Sequence, residues 1–463
     1  MNKRRGSVRL GIQICISIIF LLLAGCTEAP EETGKGTLKI LTYSQDSFDQ
    51  MYENYFSIKF PDVEVEVIPI SDNLEDPYAP VSNEQLKSKV ERHRPDLLII
   101  DERNYAKSSS MDLLYNLESW MAQDKVMHPD QFTPAAMDWA RKFGGGDIYG
   151  LHPEFTTRVL FYNKTLFDRY DVPYPTDGMN WEDLILTAQR IVESQGDGDN
   201  IYGYHEMGIR NSAGLVNVIS WSDRLLAYNY NLGKVTINTP AWNKAFTLAT
   251  EAVRNGFFSN LKQTSTQIDG ETYITKEDQE NNDLFLKGKA AMTSEGMHLL
   301  ERLEQKSPSF DWGIVTAPAG MSNPDMDTNY YPHPVMAIGA NAENKELAWE
   351  VLKYFHGEEY AKVRSKLGTS NLSTRAGDKI SKTGIALDTF YQRNQIHDKH
   401  ELYVVDTHDE ITREFYIAFD KLREEKTDLI ITGKLTVDQA LQAIQSEGQF
   451  LLDQAKKREK NTP

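Results

Sequence analysis

The chain has 463 residues, a formal net charge of −18 and two cysteines. Its length suits two to four domains, or two large lobes, and is ample for a substantial core. The acidic balance argues against nucleic acid and against anionic solutes as partners, although a need for surface solubility explains such a balance equally well.

The first 25 residues have the physical parts of a secretory signal. Four basic residues stand before position 10, no acidic residue comes before Glu28, and Leu10 to Leu23 is an apolar run. That run is shorter than the about 20 residues that a membrane-spanning helix needs. It ends in Leu-Ala-Gly-Cys, which resembles the cleavage site of bacterial lipoproteins and implies cleavage before Cys26 and lipidation of its thiol. The alternative is a plain signal peptide in which Cys26 is incidental.

Residues 26–36 predict a flexible tether, because they are small, polar and free of aromatic side chains. A diacyl lipid on Cys26 would hold the chain at the outer face of the cell membrane. Cys15 lies inside the signal, so the mature chain keeps Cys26 alone and has neither an internal disulfide nor a multi-thiol metal site. No second long apolar run occurs, and we therefore predict a soluble body.

Residues 37–100 alternate between strand-like and helix-like segments. The pattern predicts strands over residues 37–42, 63–67 and 97–100 and helices over residues 48–60 and 84–93. This order implies a parallel sheet with right-handed crossovers, and ligands of such sheets bind beyond the carboxyl ends of the strands. The polar or aromatic residues at those ends are Tyr43, Ser44, Gln45 and Asp101.

Residues 144–163 combine a glycine triplet with two strand-like pieces, 148–151 and 157–162. Pro153 lies between the two pieces and has no N–H, so it suits a strand edge or a crossing better than a central strand. Two interpretations are open on local grounds. The stretch is either a β-hairpin within one domain or a passage from one lobe to another.

Beyond residue 163 both strands and helices are predicted, and the chain from residue 384 onward is predicted to be mostly helical. We predict strands over residues 290–292, 310–317 and 335–339, and helices over residues 163–167, 180–192, 239–255, 282–289, 344–355 and 436–457. Phe450 is expected on the apolar face of the last helix. Asp197 and Asp199 supply too few alternating carboxylates for a calcium loop, so we interpret them as part of a turn rather than as a metal site.

Several stretches, taken together and in order, resemble the extracellular solute-binding lipoproteins of bacterial ABC importers, in the family that includes the maltose- and oligosaccharide-binding proteins. They span most of the mature chain up to Arg375. They are Phe60 to Val67, Arg94 to Leu98, Tyr149 to Leu151 leading into Leu160 to Lys164, Asn180 to Leu184, Phe285 to Met292, Trp312 to Pro318, Ala337 to Asn341 with Asn344 to Trp349, and Asn371 to Arg375.

The resemblance implies an α/β fold of two hinge-linked lobes, each a mainly parallel sheet flanked by helices, as in type II periplasmic binding proteins. One lobe would comprise residues 37–151 and 335–376, and the other residues 152–334 and 377–463. The chain would cross near residues 150–158, 333–337 and 376, which favours the crossing interpretation of residues 144–163. Closure of the hinge requires a ligand that contacts both lobes.

Aromatic faces and planar polar groups beyond strand ends are the contacts expected for a sugar. Core packing is the alternative role for the aromatic candidates, and a helix cap or a surface charge is the alternative for the acidic ones. Family members often carry a tryptophan shortly after the position of Gly296; Met297 and His298 follow it here, which argues against a maltodextrin-like ligand. The candidate ligand-binding residues are Tyr43, Ser44, Gln45 and Asp101 on one lobe, Glu154, Phe155, Trp221, Glu295, His298 and Tyr331 on the other, and Arg375 near the hinge.

The resemblance implies a monomeric, lipid-anchored extracellular receptor that needs no cofactor or metal. It would bind a small solute, in the first place a mono- or oligosaccharide, and deliver it to an ABC permease. Two alternatives stay open. One is a solute-sensing co-receptor for a membrane kinase. The other is a glycosidase that uses Asp101, Glu154 or Glu295 as acid and base, although no catalytic motif supports it.

Overall fold

A computed structural model describes residues 35–73, 76–209, 211–261, 264–268, 271–322, 324, 329–367, 371–377, 387–392 and 410–461. The predicted signal peptide, Cys26 and the predicted tether up to residue 34 lie outside the described residues. None of the described helices has both the length and the hydropathy needed to cross a membrane.

The described elements alternate between short strands and helices. The strands are, in chain order, β1 (Gly36–Thr42), β2 (Val63–Pro69), β3 (Leu97–Ile100), β4 (Gly150–Leu151), β5 (Glu154–Thr156), β6 (Val159–Asn163), β7 (Tyr202–Tyr204), β8 (Tyr228–Asn229), β9 (Lys234–Val235), β10 (Thr266–Ile268), β11 (Glu271–Tyr273), β12 (Ala290–Glu295), β13 (Trp312–Thr316), β14 (Tyr331–Pro332), β15 (Val335–Ile338) and β16 (Leu372–Ser373). The α-helices are Gln45–Phe48, Asn54–Lys59, Asn83–His93, Glu102–Ser110, Glu118–Met121, Pro134–Phe143, Lys164–Arg169, Trp181–Glu193, Ser212–Ser222, Pro240–Arg254, Lys276–Asn282, Met297–Lys306, Lys345–Phe355, Glu358–Leu367, Asp388–Tyr391, Glu410–Ile431 and Val437–Asn461.

The first sheet has the strand order β2-β1-β3-β15-β4. Strands β2, β1 and β3 run parallel, and β15 is antiparallel to β3. Strand β3 is buried at every position, as its unbroken apolar run predicts. Strand β2 alternates half-buried valines with the exposed Glu64 and Glu66, which suits its place at the edge of the sheet. The parallel order brings the carboxyl ends of β1 and β3 to one edge.

The second sheet has the order β13-β6-β12-β7 and mixed strand directions. Strand β6 is antiparallel to both β12 and β13, whereas β12 is parallel to β7. Successive residues of β6 point to opposite faces, so Val159 and Phe161 join one hydrophobic core and Leu160 and Tyr162 join another. The two long C-terminal helices contribute Phe415, Phe419, Leu441 and Ile444 to the latter core.

A third sheet, here called the hinge sheet, consists of β14, β5 and β16 in that order. The chain passes from β4 in the first sheet through β5 to β6 in the second, and it returns from β13 through β14 to β15. Strand β16 is followed by the helix Asp388–Tyr391, where Phe390 makes a ring contact with Phe161 of β6. Each described passage between the larger sheets therefore runs through one hinge strand. The lobe boundaries drawn from the sequence stay predictions.

One predicted helix, residues 282–289, is wrong. The helix at this place begins earlier, at Lys276, because Thr275 and Asp278 form a reciprocal capping box. It ends at Asn282, since Asp283 has extended backbone angles and its carboxylate accepts a hydrogen bond from the Leu286 N–H at 2.8 Å. The segment that leads into β12 is consequently a series of turns.

Two smaller expectations also need correction. The first helix begins at Gln45 rather than at residue 48, because Ser44 caps it, and the π-helical segment Asp49–Glu53 interrupts it. Phe450 is 62% exposed and does not belong to the apolar face of the last helix. Gly448 is the residue that packs there, and a position two residues further along an α-helix points about 200° away from it.

Candidate ligand-binding pocket

A pocket of 320 Å³ opens at one edge of the second sheet. The carboxyl ends of β7, β12 and β13 meet at this edge, together with the amino end of β6, because β6 alone runs against its neighbours. Strand ends of this kind are where α/β sheets bind ligands. The charged, polar and aromatic residues that line the pocket are Arg158, Glu206, Asn217, Ser222, Ser294, Asn329, Trp181, Trp221 and Tyr331.

The charged centre of the pocket is an ion pair between Arg158 and Glu206. Arg158 stands just before β6, and Glu206 follows β7 by two residues. Arg158 Nη1 lies 2.8 Å from Glu206 Oε1, and Nη2 of the same side chain donates to the backbone carbonyl of Ser294. The hydroxyl of Tyr204 donates to Glu206 Oε2. Both carboxylate oxygens of Glu206 are thus engaged within the protein.

The electrostatics of this pair follow from its burial. Burial raises the pKa of Glu206, and the neighbouring guanidinium of Arg158 offsets part of that rise. Burial opposes the charge of Arg158 as well, but Glu206 and then Glu295 outweigh it and raise the pKa of Arg158. Arg158 therefore stays a cation that is paired with Glu206 and lies near a second carboxylate, that of Glu295.

Aromatic side chains form the wall of the pocket. Trp221 is half-buried near the end of the helix Ser212–Ser222, and Tyr331 of β14, a strand of the hinge sheet, is 39% exposed. Trp181 is almost fully buried beneath them, and its indole N–H donates to Ser222 Oγ at 2.7 Å. Asn217 adds a polar group on the helical side, where its Oδ1 accepts from Arg423 Nη1 at 2.6 Å.

Of the candidates predicted for the second lobe, Trp221 and Tyr331 line this pocket. Glu295 lies beside it, at the end of β12, where its Oε1 accepts from the Gly296 N–H at 3.1 Å. His298 is exposed on the first turn of the helix Met297–Lys306. The structure therefore brings Trp221 and Tyr331 together and leaves Glu295 and His298 outside the lining.

The four candidates on the first sheet lie at the ends of β1 and β3. Asp101 caps the helix Glu102–Ser110, with its Oδ1 accepting from the Asn104 N–H at 2.7 Å, which is the alternative role weighed for it. Burial, followed by the proximity of Asp101, raises the pKa of Tyr43. Ser44 caps the helix Gln45–Phe48, and Gln45 donates to Asp49 Oδ1 at 2.7 Å.

Tyr78 joins this group although the sequence did not suggest it. Its ring lies 4.6 Å from the ring of Tyr43, and its hydroxyl lies 2.9 Å from Ser47 Oγ. Tyr78 is 61% exposed, so much of its ring is open to a ligand on this side.

Three candidates serve the hinge instead of the pocket lining. Glu154 of β5 binds Arg364 through two hydrogen bonds of 2.9 Å each. Phe155 is buried and stacks on Tyr330 with ring centroids 4.5 Å apart. Arg375 donates to the backbone carbonyls of Val126 and His356 at 3.0 Å each. These three side chains hold the hinge sheet against its surroundings.

Sequence reasoning missed the polar centre of the pocket. Arg158 was passed over inside the predicted strand 157–162, although the observed strand begins one residue after it. Glu206 was missed because β7 has only three residues, too few for an alternating pattern to be recognised. A carboxylate two residues after the Tyr-Gly-Tyr segment was the available signal.

Comparison with known proteins places the chain in a family. The family model of bacterial extracellular solute-binding proteins matches residues 42–362, which is well over half of the chain. The chain belongs to this family. The resemblance stated from the sequence motifs is thereby confirmed.

Curated relatives of this solute-binding protein have low sequence identity to it. Binding proteins of Brucella abortus and Brucella suis are 26% identical to it over 216 residues, which is 46% of this chain and 48% of each relative. The match therefore spans about half the length of these relatives.

Solved structures share the fold of this solute-binding protein at low sequence identity. The sugar-binding protein MalE from Xanthomonas citri matches with a TM-score of 0.55 at 14% identity, over 92% of this chain and 100% of that one. A sugar transporter protein from Rhizobium etli, in an open conformation, matches with a TM-score of 0.53 at 17% identity, over 89% and 98%. An ABC transporter solute-binding protein from Agrobacterium vitis with bound D-mannitol matches with a TM-score of 0.51 at 16% identity, over 91% and 99%. The predicted two-lobed α/β fold is confirmed. Its sheets are mixed rather than mainly parallel as predicted, because β15 and β6 each run antiparallel to both of their neighbours.

Proposed function

We propose that this solute-binding protein captures a small carbohydrate between its two lobes and delivers it to an ABC permease. The observation that carries the proposal is the pocket, where Trp221 and Tyr331 stand beside hydrogen-bonding groups in a space of 320 Å³. Sugars bind such sites through C–H contacts with aromatic faces and through hydrogen bonds of their hydroxyls. The volume is at the lower end of the about 300–1,000 Å³ typical of small-molecule sites, which suits a single ring or a sugar alcohol.

Two structural neighbours support a carbohydrate as the ligand. The Xanthomonas citri protein is a sugar-binding protein, and the Agrobacterium vitis protein holds D-mannitol. Their low identity to this chain means that they support the class of ligand and leave its identity open.

The first sheet offers a second wall for the same ligand. Tyr43 and Asp101 lie at the carboxyl ends of β1 and β3, and the ring of Tyr78 packs against that of Tyr43. We propose that closure of the two lobes brings this group over a solute seated at Trp221. Only a ligand that contacts both walls would stabilise the closed state, because differential affinity is what shifts such an equilibrium.

The hydrogen bonds made by the buried carboxylates fit a protein that binds its ligand without catalysing a reaction. Both oxygens of Glu206 are engaged by Arg158 and Tyr204, and Glu154 is engaged by Arg364. A carboxylate held in this way is poorly suited to give or take a proton in a reaction. We further propose that a lipid on Cys26 anchors the receptor at the outer face of the cell membrane, with residues 26–36 as its tether.

Isothermal titration calorimetry of the mature chain against sugars, sugar alcohols, amino acids and peptides tests the proposal. We expect saturable binding of at least one carbohydrate, weakened about tenfold or more by Trp221→Ala, because the stacking face is lost. Tyr273→Ala is the matched control, since Tyr273 is a half-exposed aromatic residue of strand β11, which pairs with β10 in a separate hairpin. Binding of peptides alone would contradict the sugar assignment, and conversion of the ligand during the titration would contradict a pure receptor.

A further inference from the structure

The arginine that lines the pocket is already occupied by a partner inside the protein. Arg158 pairs with Glu206 at 2.8 Å and donates to the carbonyl of Ser294. Glu206 is only 2% exposed, and its other oxygen accepts from Tyr204. Both side chains of the ion pair thus have partners within the protein.

A second carboxylate makes the local charge negative. Glu295 follows Ser294 directly and acts through space on both Arg158 and Glu206. One guanidinium and two carboxylates leave an excess of negative charge at this end of the pocket. Among the described lining residues Arg158 is the one that carries a positive charge, so nothing else in the lining compensates for that excess.

An anionic sugar would have to compete with Glu206 for Arg158. A ligand carboxylate that takes the guanidinium displaces Glu206 and leaves a buried carboxylate without its counter-charge. Separating a buried ion pair in this way is strongly unfavourable. A neutral sugar avoids the exchange, because its hydroxyls can use Asn217 and Asn329 while its ring lies against Trp221.

We propose that the pocket selects neutral sugars or sugar alcohols against their acidic counterparts, and that Glu206 sets this selectivity by occupying Arg158. The inference rests on the proposed carbohydrate-binding function and narrows its ligand class. Glu206 acts here as a built-in competitor for every ligand carboxylate.

Calorimetry with matched pairs of ligands tests the selectivity. The pairs are D-glucose with D-glucuronate, D-galactose with D-galacturonate, and any neutral ligand of the wider panel with the acid made by oxidising its primary alcohol. We expect the neutral member of a bound pair to bind at least about tenfold more tightly than the acid. The preference should persist at high salt, because buried charges are screened little.

Glu206→Gln tests the role of the residue itself, since it keeps the shape and removes the charge. We expect the ratio of acid to neutral dissociation constants to fall at least about tenfold, because Arg158 becomes available to the ligand. Glu295→Gln, at a partly exposed position, should lower the same ratio by a smaller factor. Glu64→Gln makes the same change of charge on the exposed edge strand β2 and should leave the ratio unchanged. A thermal melt of each variant verifies that it is folded.

The possible outcomes separate this inference from the proposed function. Equal or tighter binding of the acid to the unaltered protein overturns the selectivity and leaves a carbohydrate receptor in place. Failure of every carbohydrate to bind overturns both. A neutral preference that survives in Glu206→Gln and Glu295→Gln, with both variants folded, overturns the role given to Glu206.

Discussion

At the scale of single residues, Glu154 and Arg364 form an ion pair in which both carboxylate oxygens are used. Asn371 donates to the same carboxylate at 3.0 Å, and the guanidinium lies over the rings of Tyr55 and Tyr360. The Glu154 side chain is 8% exposed and that of Arg364 is 20% exposed. The contact therefore links the central strand of the hinge sheet to the helix Glu358–Leu367 where little solvent screens it.

Glu154→Ala is expected to lower the free energy of unfolding by about 3 kcal/mol, because Arg364 is left half-buried without its counter-charge. Urea denaturation followed by circular dichroism measures the loss. Glu358→Ala on the same helix removes an exposed ion pair with Lys362 and should have little effect. If both substitutions lowered the free energy of unfolding equally, the hinge ion pair would contribute no more to stability than an exposed ion pair.

Single residues also mark the limit of sequence reasoning. Trp221 and Tyr331 were proposed as ligand contacts from their type and their place after strands, and the structure puts both in one pocket. Glu154 met the same criteria, yet its partner Arg364 stands 210 residues further along the chain. No local pattern announces such a pairing. Sequence therefore predicts which kinds of side chain stand near a sheet edge, and it does not predict which of them are already paired.

At the scale of elements, the last helix shows how one glycine determines a packing interface. Gly448 lies against Phe419 of the preceding helix, and a Cβ at this position would stand 2.5 Å from the Phe419 ring. Phe419 is buried in the second core and has little freedom to withdraw. The two C-terminal helices approach closely because this position has no side chain.

Gly448→Ala should therefore destabilise the protein despite the higher helix propensity of alanine. Overpacking a core costs about 1–3 kcal/mol, whereas the gain in propensity is at most about 1 kcal/mol. Thermal unfolding gives the sign directly, and Ser446→Ala on an exposed turn of the same helix is the control. A raised melting temperature in Gly448→Ala would contradict the packing argument.

Elements with strong local signals were predicted well. Asn180 and Asp183 form a capping box, and the helix predicted over residues 180–192 is observed as Trp181–Glu193. The prediction of a helix over residues 282–289 was wrong because Asp283 and Gly288, which shape the turns there, were assigned to the helix. The hinge strands have two or three residues each, so alternation cannot reveal them, and their pairing depends on segments far apart in the chain.

At the scale of the whole molecule, buried histidines couple stability to pH. Burial lowers the pKa of His205 and that of His356 from 6.5 to about 4, and it lowers the pKa of His152 as well. These side chains are neutral when folded, whereas the unfolded chain protonates them below about pH 6.5. Their contribution to stability is complete above that pH and is lost as the pH falls from about 6.5 toward 4.

We expect the free energy of unfolding to be lower at about pH 5 than at about pH 7.5, by roughly 2 kcal/mol for each histidine shifted to a pKa near 4. Urea denaturation at both pH values measures the difference. His205→Gln should reduce the difference even if it lowers stability at both values, whereas His298→Gln, at an exposed position, should not. An unchanged difference in His205→Gln would contradict this account.

The hinge sheet has a mechanical consequence. Its strands are hydrogen-bonded, β14 and β16 each to β5, and β5 and β14 lie on two different passages of the described chain between the larger sheets. The two larger sheets are therefore connected by more than one segment of the chain. A single backbone cut, for example by a protease between β5 and β6, leaves the passage through β14 intact. It also leaves the hydrogen bonds of β5 to β14 and β16 intact. The two pieces of the cut chain would therefore stay together.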